Sequence, residues 1–233
     1  MRNNPMDRSP DSSQNDFYRS TMTTSEVVVS RATSADANML CAVHAKTRYK
    51  TDIGYHSEYA RATRESGYYE NFWATAFDDD SLIILKAEQN GEILGFITVG
   101  PSPFPTSFGA GGEDAAKVIY EEVHALNPVL GELQQIYVLP DQHGKGLGAA
   151  LYKAGAQALA EEGYSSMLIN VIRENVKARD FYENMGGKSY GVVREDIPRD
   201  RDVYCVFCAL YVDDKIDRFL DRKQDINVKH LPI

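Results

Sequence analysis

Residues 133–159 read LQQIYVLPDQHGKGLGAALYKAGAQAL, and the reading of the whole chain turns on them. Gly131 to Pro140 reads as a strand, Asp141 to Gly148 as a glycine-dense turn, and the residues to about Glu162 as a helix. That helix carries an apolar stripe at Leu147, Ala150, Leu151, Ala154 and Ala158, the i, i+3, i+4, i+7, i+11 positions of one face. Gly144, Gly146 and Gly148 alternate at the strand-to-helix junction. Glycines there remove side chains where backbone must approach a ligand, and they turn the first-turn amides outward. Unpaired N–H groups at the positive end of a helix dipole make an anion site suited to a phosphate or pyrophosphate.

Three glycine-rich turns compete for this stretch. A P-loop requires G-x-x-x-x-G-K-[ST], but Lys145 is followed by Gly146. A dinucleotide fingerprint requires G-x-G-x-x-G early in its domain, whereas this spacing is G-x-G-x-G and falls late. The third is the acyl-CoA turn R/Q-x-x-G-x-G/A, which fits with His143 in the first position and Gly146 and Gly148 as the small residues.

Downstream, Ser166 to Ile172 (SMLINVI) reads as a strand, and Asn175 can cap a helix with Ala178, Phe181, Tyr182 and Met185 on one face. Gly186-Gly187 ends that helix. Residues 170–187, NVIRENVKARDFYENMGG, thus contain N-x-x-A-x-x-F-Y-x-x-x-G. The two blocks, in this order and register, resemble the cofactor-binding segments of the GNAT superfamily of acyl-CoA N-acyltransferases. With the hairpin upstream, the likeness covers roughly Glu26 to Val212. One departure is His143, which stands where the family usually has Arg or Gln.

The resemblance implies a fold and a division of labour. The fold is α/β: a mixed, mostly antiparallel sheet flanked by helices, with a central splayed pair of parallel strands. The implied cofactor is acetyl-CoA (coenzyme A), the acyl donor. Its pantetheine arm would pair with backbone near Ile136, Tyr137 and Val138, as an added strand would. Its diphosphate would sit on the amides of His143, Gly144, Lys145, Gly146, Leu147, Gly148 and Ala149, with the Lys145 charge nearby. Asn175 matches the family asparagine that helps to hold the cofactor or an ordered water. Tyr182 matches the family tyrosine near the CoA sulfur, a general acid, and Glu132 a position used by some members for the base. Strand alternation puts Glu132, Gln134, Ile136 and Val138 on one face.

Working outward, Val27 to Ala32 reads as a first strand, Ser34 to Lys50 as a helix, and Ser57 to Phe77 as an aromatic-rich helix packed in the core. SLIILKA (Ser81 to Ala87) and ILGFITV (Ile93 to Val99) flank Asn90-Gly91, the strongest hairpin signal in the chain. Pro101 to Pro128 is a Pro/Gly-rich insertion suited to substrate binding, where Tyr120 and His124 are helix-spaced candidates for the pocket. Two further strands fit Lys188 to Arg194 and Val203 to Val212. Residues 1–24 read as a flexible tail, 25–220 as the acetyltransferase-like domain, and 221–233 as a polar, loosely attached tail.

Composition bounds the partners. The chain has 233 residues with 25 Lys+Arg against 34 Asp+Glu, a formal charge of −9. That sign disfavours nucleic acid and anionic membrane and is compatible with an amine-bearing substrate. Three cysteines are too few for a disulfide framework, and no apolar stretch approaches the ~20 residues of a membrane span. The expected home is the cytoplasm. Cys205-x-x-Cys208 would face opposite ways on a strand, so no metal site is expected. His44 and His56 have no convincing partner in sequence, and Asp78-Asp79-Asp80 reads as a solvated turn. The expected activity is acetyl transfer to the primary amine of a small molecule. A protein lysine or N-terminal acetyltransferase and a catalytically silent acyl-CoA sensor are the alternatives. The oligomeric state is open, a homodimer among the options.

Overall fold

Asn90 and Gly91 close a hairpin between β2 (Ile83–Gln89) and β3 (Glu92–Pro101), as the dipeptide predicts. Around it the computed structural model describes residues 26–52, 67–102, 125, 129–172, 175–196, 205–213 and 228–230. The other strands are β1 (Val27–Arg31), β4 (Leu130–Val138), β5 (Ser166–Ile172), β6 (Lys188–Asp196), β7 (Cys205–Asp213) and β8 (Val228–His230). The helices are α1 (Ala37–Asp52), α2 (Tyr68–Thr75), α3 (Leu147–Glu161) and α4 (Val176–Asn184). Among the described residues the strands form one sheet in the order β6-β7-β5-β4-β3-β2-β1-β8. All pairings are antiparallel except β4 with β5 and β1 with β8. This is the mixed sheet with a central parallel pair that the two sequence blocks imply.

The β8 pairing differs from the loose C-terminal tail expected of a polar segment. Val228 to His230 lies parallel beside Val27 to Val29, so backbone hydrogen bonding holds a stretch whose side chains give little sign of it.

Two apolar layers sandwich the sheet. On one side α3 packs Leu147, Leu151, Ala154, Ala158 and Leu159 against Leu85, Ile97, Val99, Leu133 and Ile169. The approach is close: a Cβ on Gly155 would stand 2.7 Å from Ile97 Cδ1. On the other side, α1 and α2 pack Leu40, Val43, Tyr69 and Trp73 over Ile84, Ile93 and Phe96. The turn leading into α1 is fixed by Asp36, which accepts from the Thr33 backbone at 2.8 Å and pairs with Lys86 Nζ of β2 at 2.7 Å. Burial alone would raise the Asp36 carboxyl. The Lys86 and Thr33 contacts outweigh it and hold the group below its ordinary value.

Candidate active site

The sheet opens at its centre. β4 and β5 pair only from Leu130–Ser166 to Leu133–Ile169, although β4 continues to Val138 and β5 to Ile172. Among the described residues no strand continues the ladder with β4 on its β5-facing edge beyond Leu133. Leu139 N donates to Leu94 O at 2.9 Å, so the Leu139 amide faces β3. Val138, one residue earlier, turns its carbonyl to the open side.

A bulge sits in the same stretch. Thr98 opposes Gln135 and Val99 opposes Leu133, leaving Gln134 as the extra residue of β4. The simple alternation expected above is thereby corrected. Ile136 and Val138 return to the α3 side with Leu133. A Cβ on Gly131 would meet Leu159 of α3 at 2.8 Å, so Glu132 points to the opposite, α1 side. Tyr137 shares that α1 side, its ring 5.6 Å from Phe96.

The glycine turn lies at the mouth of the opening. Gly144 (φ 77°) and Gly146 (φ 83°) adopt left-handed backbone, which disfavours any residue with a Cβ. The first helical bond of α3 runs from Ala150 N to Gly146 O, so the amides of Leu147, Gly148 and Ala149 have no intrahelical acceptor. No side chain caps them, and no acidic residue occupies the first turn. Lys145 Nζ donates to Gln142 Oε1 at 3.1 Å, which holds its charge beside the turn. His143 Nε2 lies 2.9 Å from Val138 O and donates to it.

The two sequence blocks meet in space. A Cβ on Gly148 would lie 3.7 Å from the Phe181 ring. The Phe181 ring also meets Tyr152 edge-on at 5.9 Å. Tyr182, next along α4, is 6% exposed within the same cluster. Burial, with a smaller contribution from Tyr137, pushes its phenol well above the ordinary value, so the hydroxyl keeps its proton. Asn175 caps α4 through Oδ1, which accepts from Ala178 N at 3.2 Å. That cap leaves its Nδ2 outside the helix.

On the α1 side of the opening, the Glu132 carboxylate accepts from Ser102 Oγ at 3.0 Å and from Asn170 Nδ2 at 3.2 Å. Thr98 and Gln135 are register partners on that face. Ser102, Asn170, Gln135 and Thr98 were not singled out from sequence. The available signal was a polar residue inside an apolar run: Asn170 in SMLINVI and Thr98 in ILGFITV.

His44 also has partners that its sequence neighbours do not reveal. It is fully buried, with Tyr69 at 4.6 Å, Tyr137 at 4.8 Å and Phe96 at 5.5 Å between ring centroids. Burial, then the nearby Arg48 charge, pulls its imidazole down to about 3. Arg48 itself donates to the Tyr137 hydroxyl at 3.1 Å. Tyr120 and His124 lie outside the described residues. Among the described residues no group of three or more His, Cys, Asp or Glu could hold a metal, and no helix is long and apolar enough to cross a membrane.

Residues 53–187, more than half of the chain, match the Acetyltransferase (GNAT) family. The chain belongs to that family. Mycothiol acetyltransferase of Kocuria rhizophila is 39% identical over 66 residues, which cover 28% of this chain and 22% of that protein. YhfO, an uncharacterized N-acetyltransferase of Bacillus subtilis, is 26% identical over 117 residues, 50% of this chain and 66% of that one. The chain thus spans less than two thirds of the length of either relative. Among solved structures, the PaiA N-acetyltransferase of Thermoplasma acidophilum in complex with coenzyme A superposes with a TM-score of 0.56. That match is 17% identical and covers 80% of this chain and 98% of that one, a likeness of fold.

Proposed function

We propose that this GNAT family member is an acetyl-CoA-dependent N-acetyltransferase that acts on a primary amine of a small molecule. The observation that carries the reading is the parting of β4 from β5 after Leu133–Ile169, followed at the far end of β4 by the glycine turn and by α3, whose first-turn amides have no intrahelical acceptor. A strand edge that no neighbouring strand takes up suits the amide-bearing pantetheine arm, and the helix N-terminus suits its diphosphate. Ile136, Tyr137 and Val138 would hold the arm. The amides of His143 to Ala149 would hold the diphosphate, with Lys145 adding charge. Asn175 would contribute through the group its cap leaves outside the helix.

When bound, acetyl-CoA would supply the acetyl group as a thioester, whose carbonyl carbon would take the amine's lone pair as the C–S bond gives way. Glu132 takes a proton from the incoming ammonium, which frees that lone pair. Tyr182 would donate its retained phenolic proton to the departing sulfur, and the second proton that the nitrogen sheds on becoming an amide would restore the phenol through solvent. Burial raises its pKa, so the phenol still holds its proton at the pH where the amine reacts. The two groups stand on opposite sides of the sheet, Glu132 toward α1 and Tyr182 in the α3 cluster.

Calorimetry with coenzyme A, followed by thiol release from acetyl-CoA across a panel of small amines, tests the proposal. Saturable binding and amine-dependent release are expected. No heat with coenzyme A, or binding with no turnover over the whole panel, overturns it.

A further inference from the structure

Among the described residues, three buried side-chain oxygens on the α1 face of the opening have no hydrogen-bond partner: Thr98 Oγ1, Gln135 Oε1 and Asn170 Oδ1. Their placement is set by the sheet. Thr98 lies between Ile97 and Val99, and Asn170 between Ile169 and Val171, four residues of the α3-side cluster, so both polar side chains point to the α1 side. Gln135 follows, since it opposes Thr98 in the ladder. The carboxylate of Glu132 is on the same face and already takes Asn170 Nδ2 at 3.2 Å. That bond fixes the Asn170 amide: the nitrogen must meet the carboxylate, and the oxygen is left over.

We propose that Asn170, Gln135 and Thr98, together with Glu132, form the receptor for the acceptor's ammonium group. This rests on the acetyltransferase reading above and adds the residues that select the acceptor. Buried oxygens without partners are costly in a folded protein, so such a group calls for a donor that completes it. The set is rich in acceptors: two amide oxygens and a carboxylate, with one hydroxyl. A carboxylate or phosphate would be repelled by it. A hydroxyl brings a single donor and a thiol a weak one, whereas an ammonium brings three and a charge. The acceptor's amine therefore docks as a cation and loses its proton to Glu132 in place. Thr98 is 0% exposed, the deepest of the set.

The test has a binding arm and a kinetic arm. Side-chain amide resonances of Gln135 and Asn170 are followed by NMR while ethylammonium chloride is added, with tetramethylammonium, which has no N–H donor, as control. Saturable shifts with ethylammonium alone are expected. Equal shifts with both ions, or none, overturn the proposal whether or not the protein is an acetyltransferase. In the kinetic arm, Gln135→Met and Asn170→Leu are expected to raise KM for the amine about tenfold while coenzyme A affinity is unchanged. An unchanged amine KM in a folded, active variant overturns the receptor and leaves the transferase reading standing. Loss of coenzyme A binding in the unaltered protein overturns the transferase reading and leaves the ammonium titration to decide the receptor. Should Asn170→Leu fail to fold, the titration of the unaltered protein decides.

Discussion

The imidazole of His143 donates from Nε2 to the main-chain carbonyl of Val138 across 2.9 Å. That carbonyl faces the open side of β4, where the family's pantetheine arm would take it as an acceptor. On the proposed reading, His143 would compete with coenzyme A for that one hydrogen bond. His143→Arg frees the carbonyl and returns the family's usual cation to the turn. Coenzyme A is expected to bind about fivefold more tightly, by calorimetry at fixed salt. Weaker binding would show that the imidazole orders the turn rather than obstructing it.

Tyr182→Phe keeps the ring packing against Phe181 (5.3 Å) and Tyr152 (6.3 Å) but deletes the proton. We expect kcat to fall about 10²-fold with coenzyme A affinity and melting temperature nearly unchanged. Burial raises the phenol's pKa, so its neutral form persists as pH rises past the ordinary value of 10.0. An alkaline limb that tracks ionisation at that ordinary value would argue against Tyr182 as the acid.

Glu132→Gln preserves the side chain's size but cannot take a proton, and its amide can no longer accept equally from both Ser102 and Asn170. A loss in kcat of about 10²- to 10³-fold is expected in steady-state assays, together with loss of the acid limb of the pH profile. Retention of that limb would assign the base to another residue.

His44 makes stability depend on pH. Its pKa is about 3 in the fold against an ordinary 6.5. Below 6.5 the unfolded chain takes up a proton that the folded chain refuses. Stability is thus complete above that value and falls as pH drops toward 3, by about 1.4 kcal/mol per pH unit at most. His44→Leu, which fills the cage without a titrating group, should flatten the melting temperature over this window.

Gly95→Ala probes the support of β4. A Cβ there would stand 2.7 Å from the Tyr137 carbonyl oxygen and 3.2 Å from Val138 Cα, both backbone atoms that cannot rotate away. A loss of about 2 kcal/mol in denaturant unfolding is expected, with weaker coenzyme A binding because the displaced segment is the one that would hold the arm. Neutral stability would mean the strand shifts freely.

Local chemistry was legible in the sequence. Asn175 reaches an amide three residues away, and Asn90-Gly91 forms its own turn, so each could be read without knowing the fold. The two blocks that meet at Gly148 and Phe181 were readable because each keeps its own spacing. What could not be read depends on a second strand. The bulge at Gln134 exists only relative to Thr98 and Val99, and without it the facing of Ile136 and Val138 comes out reversed. The His44 cage draws on α1, α2, β3 and β4. Asn170 and Glu132 are 38 residues apart. The β8 pairing likewise joins opposite ends of the chain.

The extra residue at Gln134 changes the parity of β4. Upstream of it even-numbered Glu132 looks toward α1; downstream, odd-numbered Tyr137 does. Removing one residue there would leave the composition almost intact yet invert every position from Gln135 onward. Aliphatic Ile136 and Val138 would then turn toward α1, and Tyr137 into the packed layer under α3. Changes of length in this short stretch should thus be far less tolerated than changes of residue type.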